Sequence, residues 1–314
     1  MNNKLNNKLH GGRVSRRAFL QRSSAVLAGA GLATMRSARA AAGEGPAGRK
    51  TPWPLRLSTS TVQFSSLSVE KACERIAGLG FAAVDFWHSG FGCPHLDEIE
   101  KRLGPEGLKD LLAKHHLKLY AFSCYGVGAN HGYERFAEVL GKAGGGVAIR
   151  EARYGKTVNL TAEMKSLLEQ IKPQLELAEK YHSRIAVENH GTSLLNSKDS
   201  FKAFVDLNRN PRLGIALAPY HLQAAGISVE EVIAIVGKQL LFFYAWQHGE
   251  GMQQLPGTGP ADFTPWIAAL ARADYAEYVN PFMHGHVPPD EMTKGLATAR
   301  DYLIRCHRKA ATQA

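Results

Sequence analysis

The feature that most constrains this chain is a repeated unit, in which a short apolar segment is followed by a longer segment with helical periodicity. Short apolar runs bounded by polar residues and glycine are typical of buried strands, and an apolar residue at every third or fourth position is typical of a helix that packs on one face. Strands are predicted at residues 55–60, 81–87, 117–123, 147–150, within 184–191 (with residues 188–190 at its carboxyl end), 213–217, 240–246 and 278–283. Helices are predicted at 69–79, 107–116, 133–141, 160–182 (interrupted near Pro173), 197–207, 228–236, 263–273 and 291–307.

This alternation predicts an α/β fold, namely a single-domain (β/α)₈ TIM barrel. An open doubly wound sheet is the alternative, but no G-x-G-x-x-G motif follows the first strand and the chain has no P-loop. The length of 314 residues, with 45% hydrophobic and 21% charged residues, suits one large globular domain. We expect the barrel at residues 55–307, between a linker at 41–54 and a tail at 308–314.

Residues 1–40 have the composition of an export signal rather than of a folded domain. A basic segment contains the pair Arg16-Arg17, a short apolar run follows at 25–33, and the small-x-small sequence A-R-A at 38–40 resembles a cleavage site. The order of these parts resembles a twin-arginine signal, which implies the twin-arginine export machinery as a partner and a periplasmic or extracellular location. The apolar run is too short for a stable membrane anchor.

The basic leader accounts for most of the net charge of +10. Residues 1–40 hold eight of the 38 Lys and Arg residues and none of the 28 Asp and Glu residues, so the remainder carries a formal charge of only +2. A nearly neutral domain lacks the basic surface that nucleic acid binding requires, and this class of function is excluded.

The four cysteines form no C-x-x-C pair, which argues against a structural zinc site. Cys93 and Cys124 both follow neighbouring predicted strands, so an exported protein could join them in a disulfide. Buried free thiols are the favoured alternative.

Polar and aromatic residues are concentrated where the predicted strands end. In a barrel of parallel strands these ends share one face, which is where catalytic residues lie. Several histidines and one carboxylate, Glu188, meet there, and this donor set suits a divalent metal ion such as Zn²⁺, Mn²⁺, Fe²⁺ or Co²⁺, with Mg²⁺ also open. We predict Glu188 and His221 as catalytic residues, and Glu188, His221, His248 and His284 as metal ligands. Predicted substrate-binding residues are Trp87, His88, Arg150, Asn189, His190, Tyr220 and Trp246, whose aromatic members could equally be core residues.

Four stretches resemble the sugar phosphate isomerase/epimerase family, which has xylose-isomerase-like TIM barrels. They are G-L-G-F-A-A-V-D at 78–85, V-E-N-H-G at 187–191, P-Y-H at 219–221 and L-P-G-T-G-P-A-D-F at 255–263, and the likeness spans about residues 55–305. The resemblance implies a divalent metal that polarises the carbonyl of an open sugar, and carboxylates that move a proton through an enediolate. It places Glu188 as the first metal ligand and His221 as a residue that faces the substrate.

The sequence departs from this family at the other metal ligands. Ala218 stands where the resemblance implies an aspartate, Trp246 where it implies a histidine, and residues 280–282 contain no carboxylate where it implies a glutamate. Either histidines have rebuilt the site around Glu188, or the site has lost its metal.

The sequence therefore favours an exported enzyme that abstracts a proton next to the carbonyl of a sugar or keto-sugar, as an isomerase or epimerase. A keto-sugar lyase or hydratase would use the same step, and a non-catalytic sugar-binding or accessory protein is the alternative of a different class. A metal-dependent nuclease on a related barrel is disfavoured by the missing carboxylates and the low charge. The identity of the sugar, its phosphorylation and the oligomeric state stay open.

Overall fold

The computed structural model describes residues 53–126, 132–152 and 158–313. The strands are β1 (Ser58–Ser60), β2 (Ala83–Trp87), β3 (Lys118–Ser123), β4 (Val147–Glu151), β5 (Arg184–Glu188), β6 (Leu213–Leu217), β7 (Leu240–Ala245) and β8 (Val279–Pro281). The α-helices are α1 (Val69–Gly78), α2 (His95–Glu98), α3 (Gly104–Lys114), α4 (Tyr133–Lys142), α5 (Leu160–Lys180), α6 (Lys198–Leu207), α7 (Pro219–Ala224), α8 (Val229–Val236), α9 (Thr264–Arg272) and α10 (Pro289–Gln313).

All eight strands are parallel and lie in the order β1 to β8 within one sheet. Leu57, just before β1, pairs with Val279 of β8, so the first and last strands lie side by side. This closes the sheet into the predicted single-domain TIM barrel. In the described part of the chain, no helix combines the length and the apolar character that a membrane crossing requires.

The helix that was expected to break near Pro173 is continuous from Leu160 to Lys180. Pro173 is exposed, so the carbonyl that loses its helical partner there can bond to water. The last helix was expected at 291–307, but α10 extends from Pro289 to Gln313 and so includes most of the predicted tail at 308–314. Its apolar spacing continues past residue 307, since both Cys306 and Ala310 are buried.

Side chains of the barrel form two apolar layers, because successive strand residues point to opposite faces. Ala148 of β4 packs in the outer layer, between the sheet and the helices, whereas Val147 and Ile149 pack in the inner layer. The inner layer fills the barrel axis, and the residues that continue it beyond the strand ends form the candidate site.

The suggested disulfide is not formed, and all four cysteines are buried free thiols. Cys93 packs in the inner layer and Cys124 in the outer layer, so the two thiols lie in different layers. The Cys93 Sγ lies 3.2 Å from His95 Nδ1. The twin-arginine segment, the proposed cleavage site and residues 41–52 of the predicted linker lie outside the described residues.

Candidate functional site

Glu188, His190 and His221 form a triad at the carboxyl end of the barrel. Each offers one ligand atom, and these atoms lie within 4.8 Å of one another. Glu188 is the last residue of β5, and His190 follows it by two positions with its Nε2 3.8 Å from Glu188 Oε2. His221 lies on the short helix α7, with its ring 4.7 Å from that of His190.

Asn189 connects the two elements that deliver the triad. Its side-chain amide donates to the carbonyl of Ala218 at 3.1 Å and accepts from the Ala218 N–H at 2.7 Å. Ala218 ends the extended segment of β6 and precedes α7, so this pair of hydrogen bonds fixes where α7 begins. Asn189 was predicted to bind substrate, but its amide is fully buried and used in this contact.

Glu188 is 4% exposed and is held by tyrosines. The Tyr125 hydroxyl donates to Glu188 Oε2, and it lies 2.9 Å from the Tyr244 hydroxyl. Burial raises the pKa of Glu188 to about 8; the Tyr125 hydrogen bond opposes this shift, and the negative charge of Glu151 adds to it. A bound cation is the natural partner for such a carboxylate, because it would stabilise the ionised form.

The His221 ring is kept neutral. Burial lowers its pKa to about 4, and the neighbouring imidazoles of His190, His284 and His248 act in the same direction. Neutral imidazole is the form that binds metal. The buried Nε2 of His221 has no hydrogen-bond partner among the described residues, which leaves its lone pair available within the triad.

His248 and His284 were predicted as metal ligands, but neither belongs to the triad found among the described residues. Both are exposed. The His248 ring lies 4.9 Å from that of Tyr220, and the His284 ring lies 4.9 Å from that of Trp246. His190 was predicted to contact substrate, but it is the second histidine of the triad. It follows Glu188 by two residues, so its ring lies beside the Glu188 carboxylate.

Two further predicted substrate residues have other partners in the structure. Arg150 lies on the outer face of β4, where its guanidinium donates to Gln174 of α5 at 2.6 Å. Its placement in a pocket at the strand ends was therefore wrong, since alternation along β4 turns it toward the helices. His88 is buried, and its two ring nitrogens contact the Tyr125 carbonyl and the Gly90 N–H, which fixes the loop after β2.

The predicted aromatic residues pack tightly around the triad. Tyr220 stacks on Trp246 with ring centroids 4.2 Å apart, and Trp87 stacks on Phe282 at 5.4 Å. Trp87 and Trp246 are only 2% and 3% exposed. Phe91, which is 44% exposed, covers Trp87 from the loop that follows β2.

Four polar residues of the site were missed in the sequence. They face the barrel axis or its mouth: Asp85, Tyr125, Glu151 and Tyr244. Strand periodicity could have found Glu151, because it continues the inward series of Val147 and Ile149. Glu151 is the register partner of Glu188 on the neighbouring strand, and its carboxylate accepts from the Gly126 N–H at 3.2 Å.

Asp85 is fully buried on the inner face of β2. It accepts hydrogen bonds from Ser60 Oγ at 2.6 Å, Trp87 Nε1 at 2.6 Å and Ser123 Oγ at 3.0 Å. Burial raises its pKa to about 7; the three hydrogen bonds oppose the shift, and the charge of Glu188 adds to it. No described cationic side chain forms an ion pair with this carboxylate.

The chain belongs to the xylose isomerase-like TIM barrel family, which it matches over residues 73–305. Among solved structures, it is similar to an IolI protein with a bound zinc atom (TM-score 0.64, 16% identity), with 82% of this chain and 99% of that chain covered. It is also similar to a 3-keto-D-glucoside 4-epimerase from E. coli (TM-score 0.60, 15% identity). The match covers 79% of this chain and 100% of that chain. A xylose isomerase-like barrel fused to 4-hydroxyphenylpyruvate dioxygenase matches as well (TM-score 0.63, 16% identity); 81% of this chain is covered, but it spans only 44% of the fusion. A sequence search of curated proteins returns no match.

We predict that the unusual pKa of Asp85 makes stability depend on pH. Between pH 4 and pH 7 the folded protein retains a proton that the unfolded chain has released, since the pKa is about 7 in the fold and 3.8 in the reference state. The free energy of unfolding therefore falls with rising pH in this window, by roughly 1 kcal/mol per pH unit from this group. Asp85→Asn keeps an acceptor for the Trp87 N–H and removes the titration.

Urea unfolding of both proteins from pH 4 to pH 8 measures the effect. Relative to Asp85→Asn, the wild-type protein is expected to lose stability steadily up to about pH 7 and to level off above it. A difference between the two proteins that stays constant across this range would contradict the assignment.

Proposed function

We propose that the protein is an exported keto-sugar epimerase or isomerase that uses a divalent metal ion bound by Glu188, His190 and His221. The observation that carries this proposal is the convergence of these three side chains at the carboxyl end of the barrel. One carboxylate and two imidazoles suit Zn²⁺, Mn²⁺, Fe²⁺ or Co²⁺. The unpartnered, buried Nε2 of His221 fits a ligand role, because such an atom is costly unless something binds it.

When bound, the metal would polarise the carbonyl oxygen of the sugar and so acidify the neighbouring C–H. The protein has to move the proton that is released. Glu188, committed to the metal, is a poor base, and Glu151 is the nearest carboxylate by strand register. We therefore assign proton transfer to Glu151, and the orientation of Glu188 to the Tyr125 hydroxyl.

The epimerase activity in the name of the E. coli neighbour and the aromatic rings around the triad support a sugar as the substrate class. Flat aromatic faces suit the apolar faces of sugar rings. A non-catalytic sugar-binding protein is the second candidate, favoured by the close burial of Trp87 and Trp246 over the triad. The two candidates differ in whether bound keto-sugar exchanges its acidic proton with solvent.

We predict that His221→Ala abolishes metal binding. The purified protein, stripped with chelator and reloaded with Zn²⁺ or Co²⁺, should contain close to one ion per chain, and His221→Ala should retain less than about a tenth of that. Elemental analysis measures the content, and the absorption bands of Co²⁺ report an intact site. His248→Ala, a change at an exposed ring outside the triad, serves as the control and should bind normally. Wild-type protein that takes up no metal would refute the metal centre.

We predict that Glu151→Gln slows proton exchange without removing the metal. In D₂O, NMR should show the wild-type enzyme replacing the hydrogen next to the carbonyl of D-allulose or a 3-keto-glucoside. Glu151→Gln should reduce this rate about 100-fold or more while the zinc content is unchanged. Glu106→Gln, at an exposed helical position, is the matched control. Metal and sugar binding with no exchange in the wild-type protein would favour the sugar-binding alternative.

We predict that export depends on Arg16 and Arg17. In a bacterium with a twin-arginine system, the wild-type protein should accumulate outside the cytoplasm with a new N-terminus at Ala41. Changing both arginines to lysine should keep the precursor in the cytoplasm, whereas Arg13→Lys should leave export intact. Cell fractionation and N-terminal sequencing provide the measurement, and processing that ignores the arginine pair would count against this route.

A further inference from the structure

We propose that Asp85 is a positioning residue that fixes Tyr125, and through it the Glu188 carboxylate, from beneath the site. Asp85 lies outside the metal triad, and its role rests on the proposed role of Glu188 as a metal ligand. The hydrogen bonds of Asp85 go to Ser60, Trp87 and Ser123 rather than to the triad, so we place its effect on Glu188 in the side chains between them.

The first connection runs through Trp87. Its indole N–H donates to Asp85 at 2.6 Å, which fixes the rotation of the indole ring. The Trp87 ring packs against the Tyr125 ring with centroids 5.2 Å apart. Tyr125 in turn donates its hydroxyl hydrogen to Glu188. A rotated indole would therefore displace the ring whose hydroxyl orients the metal-binding carboxylate.

A second set of contacts involves Ser123 and Tyr244. The Ser123 hydroxyl lies 3.0 Å and 3.1 Å from the two oxygens of Asp85. The Tyr244 hydroxyl, on the neighbouring part of the inner layer, lies 2.9 Å from that of Tyr125. Tyr125 is thus held at its ring by Trp87 and at its hydroxyl by Tyr244, and the Trp87 contact traces back to the Asp85 carboxylate.

The free-energy cost of burying the Asp85 carboxylate supports a positioning role for it. A buried carboxylate without an ion pair costs free energy that an apolar residue would not, even when it accepts several hydrogen bonds. Barrel interiors are normally filled by branched apolar side chains. Asp85 occupies such an interior position, and its three donors all lie on the first three strands: Ser60, Trp87 and Ser123. The hydrogen bond from Trp87 to Asp85 fixes the position of the Trp87 ring and of the Tyr125 ring packed against it.

The test compares variants at three positions. Asp85→Leu removes the acceptor, and Asp85→Asn keeps an uncharged acceptor of the same shape. Trp87→Phe removes the donor but keeps an aromatic ring. Ser60→Ala is the control, because it removes another hydrogen bond to the same carboxylate without touching Trp87 or Tyr125.

The first measurement is made on metal-free protein and does not depend on activity. The indole N–H resonance of Trp87 is assigned among the four tryptophans by its absence in Trp87→Phe. In Asp85→Leu we expect this hydrogen to exchange with solvent at least about tenfold faster, as expected when a buried hydrogen bond is lost. Asp85→Asn should restore most of the protection, and Ser60→Ala should leave it unchanged.

The second measurement is Zn²⁺ affinity, obtained by competition with a chromophoric chelator. Loss of an outer partner of a metal-binding residue typically weakens binding 10- to 100-fold, and we expect about this loss in Asp85→Leu and in Trp87→Phe. The double variant should be no worse than either single variant, because both changes break the same connection. Ser60→Ala should bind Zn²⁺ within about twofold of the wild-type protein.

The outcomes separate this proposal from the proposed function. Unchanged indole protection in Asp85→Leu, additive losses in the double variant, or equal losses in Ser60→Ala would overturn the positioning role. If Asp85→Leu does not fold, Asp85→Asn and Trp87→Phe carry the same comparison. If no variant and no wild-type protein binds Zn²⁺, the metal centre fails, while the indole measurement still decides whether Asp85 fixes Trp87.

Discussion

The strict alternation of side chains along parallel strands is the constraint on which this structure depends. In a closed barrel, each strand residue faces either the axis or the helices, so a difference of one position moves a side chain between two unconnected environments. Arg150 and Glu151 are sequence neighbours at the end of β4, yet the first bonds to a helix and the second lies at the mouth beside Glu188. Which residues belong to the site therefore depends more on the face of the strand that each occupies than on how close they are in sequence.

A second constraint is the cost of placing charge on the barrel axis. Asp85 and Glu188 are both buried, and burial raises the pKa of each carboxyl. Asp85 accepts hydrogen bonds from two serine hydroxyls and one indole, and Glu188 accepts one from a tyrosine hydroxyl. Donors of this kind hold a carboxylate in one orientation but do not neutralise it. A cation bound at the mouth, where Glu188, His190 and His221 converge, would offset this negative charge.

The sequence predicted the barrel well because the fold depends on patterns that repeat around it. Errors were confined to ends and exceptions, such as the unbroken helix at Pro173 and the extension of α10 to Gln313. The site residues were predicted less well. The position of a polar residue at a strand end does not show which groups its side chain bonds to. His88 and Asn189 have suitable chemistry, but neighbouring backbone groups occupy them. Tyr125 was missed because its role appears only when β3 and β5 are placed around one axis.

Ala218 stands where the resemblance to the isomerase/epimerase family implies an aspartate, and His221 follows it by three residues. With no carboxylate at this position, the backbone of Ala218 is bonded on both sides by the Asn189 amide, and α7 begins at once. This short helix carries His221 toward Glu188, three residues after Ala218. Exchanging a carboxylate for an imidazole removes a negative charge and shifts the preference of a site from hard cations such as Mg²⁺ toward Zn²⁺ and its neighbours. We assign the base to Glu151, which does not belong to the triad but is in register with Glu188 on the neighbouring strand. A separate base and metal ligand on adjacent strands would retain the chemistry of proton abstraction with a different set of residues.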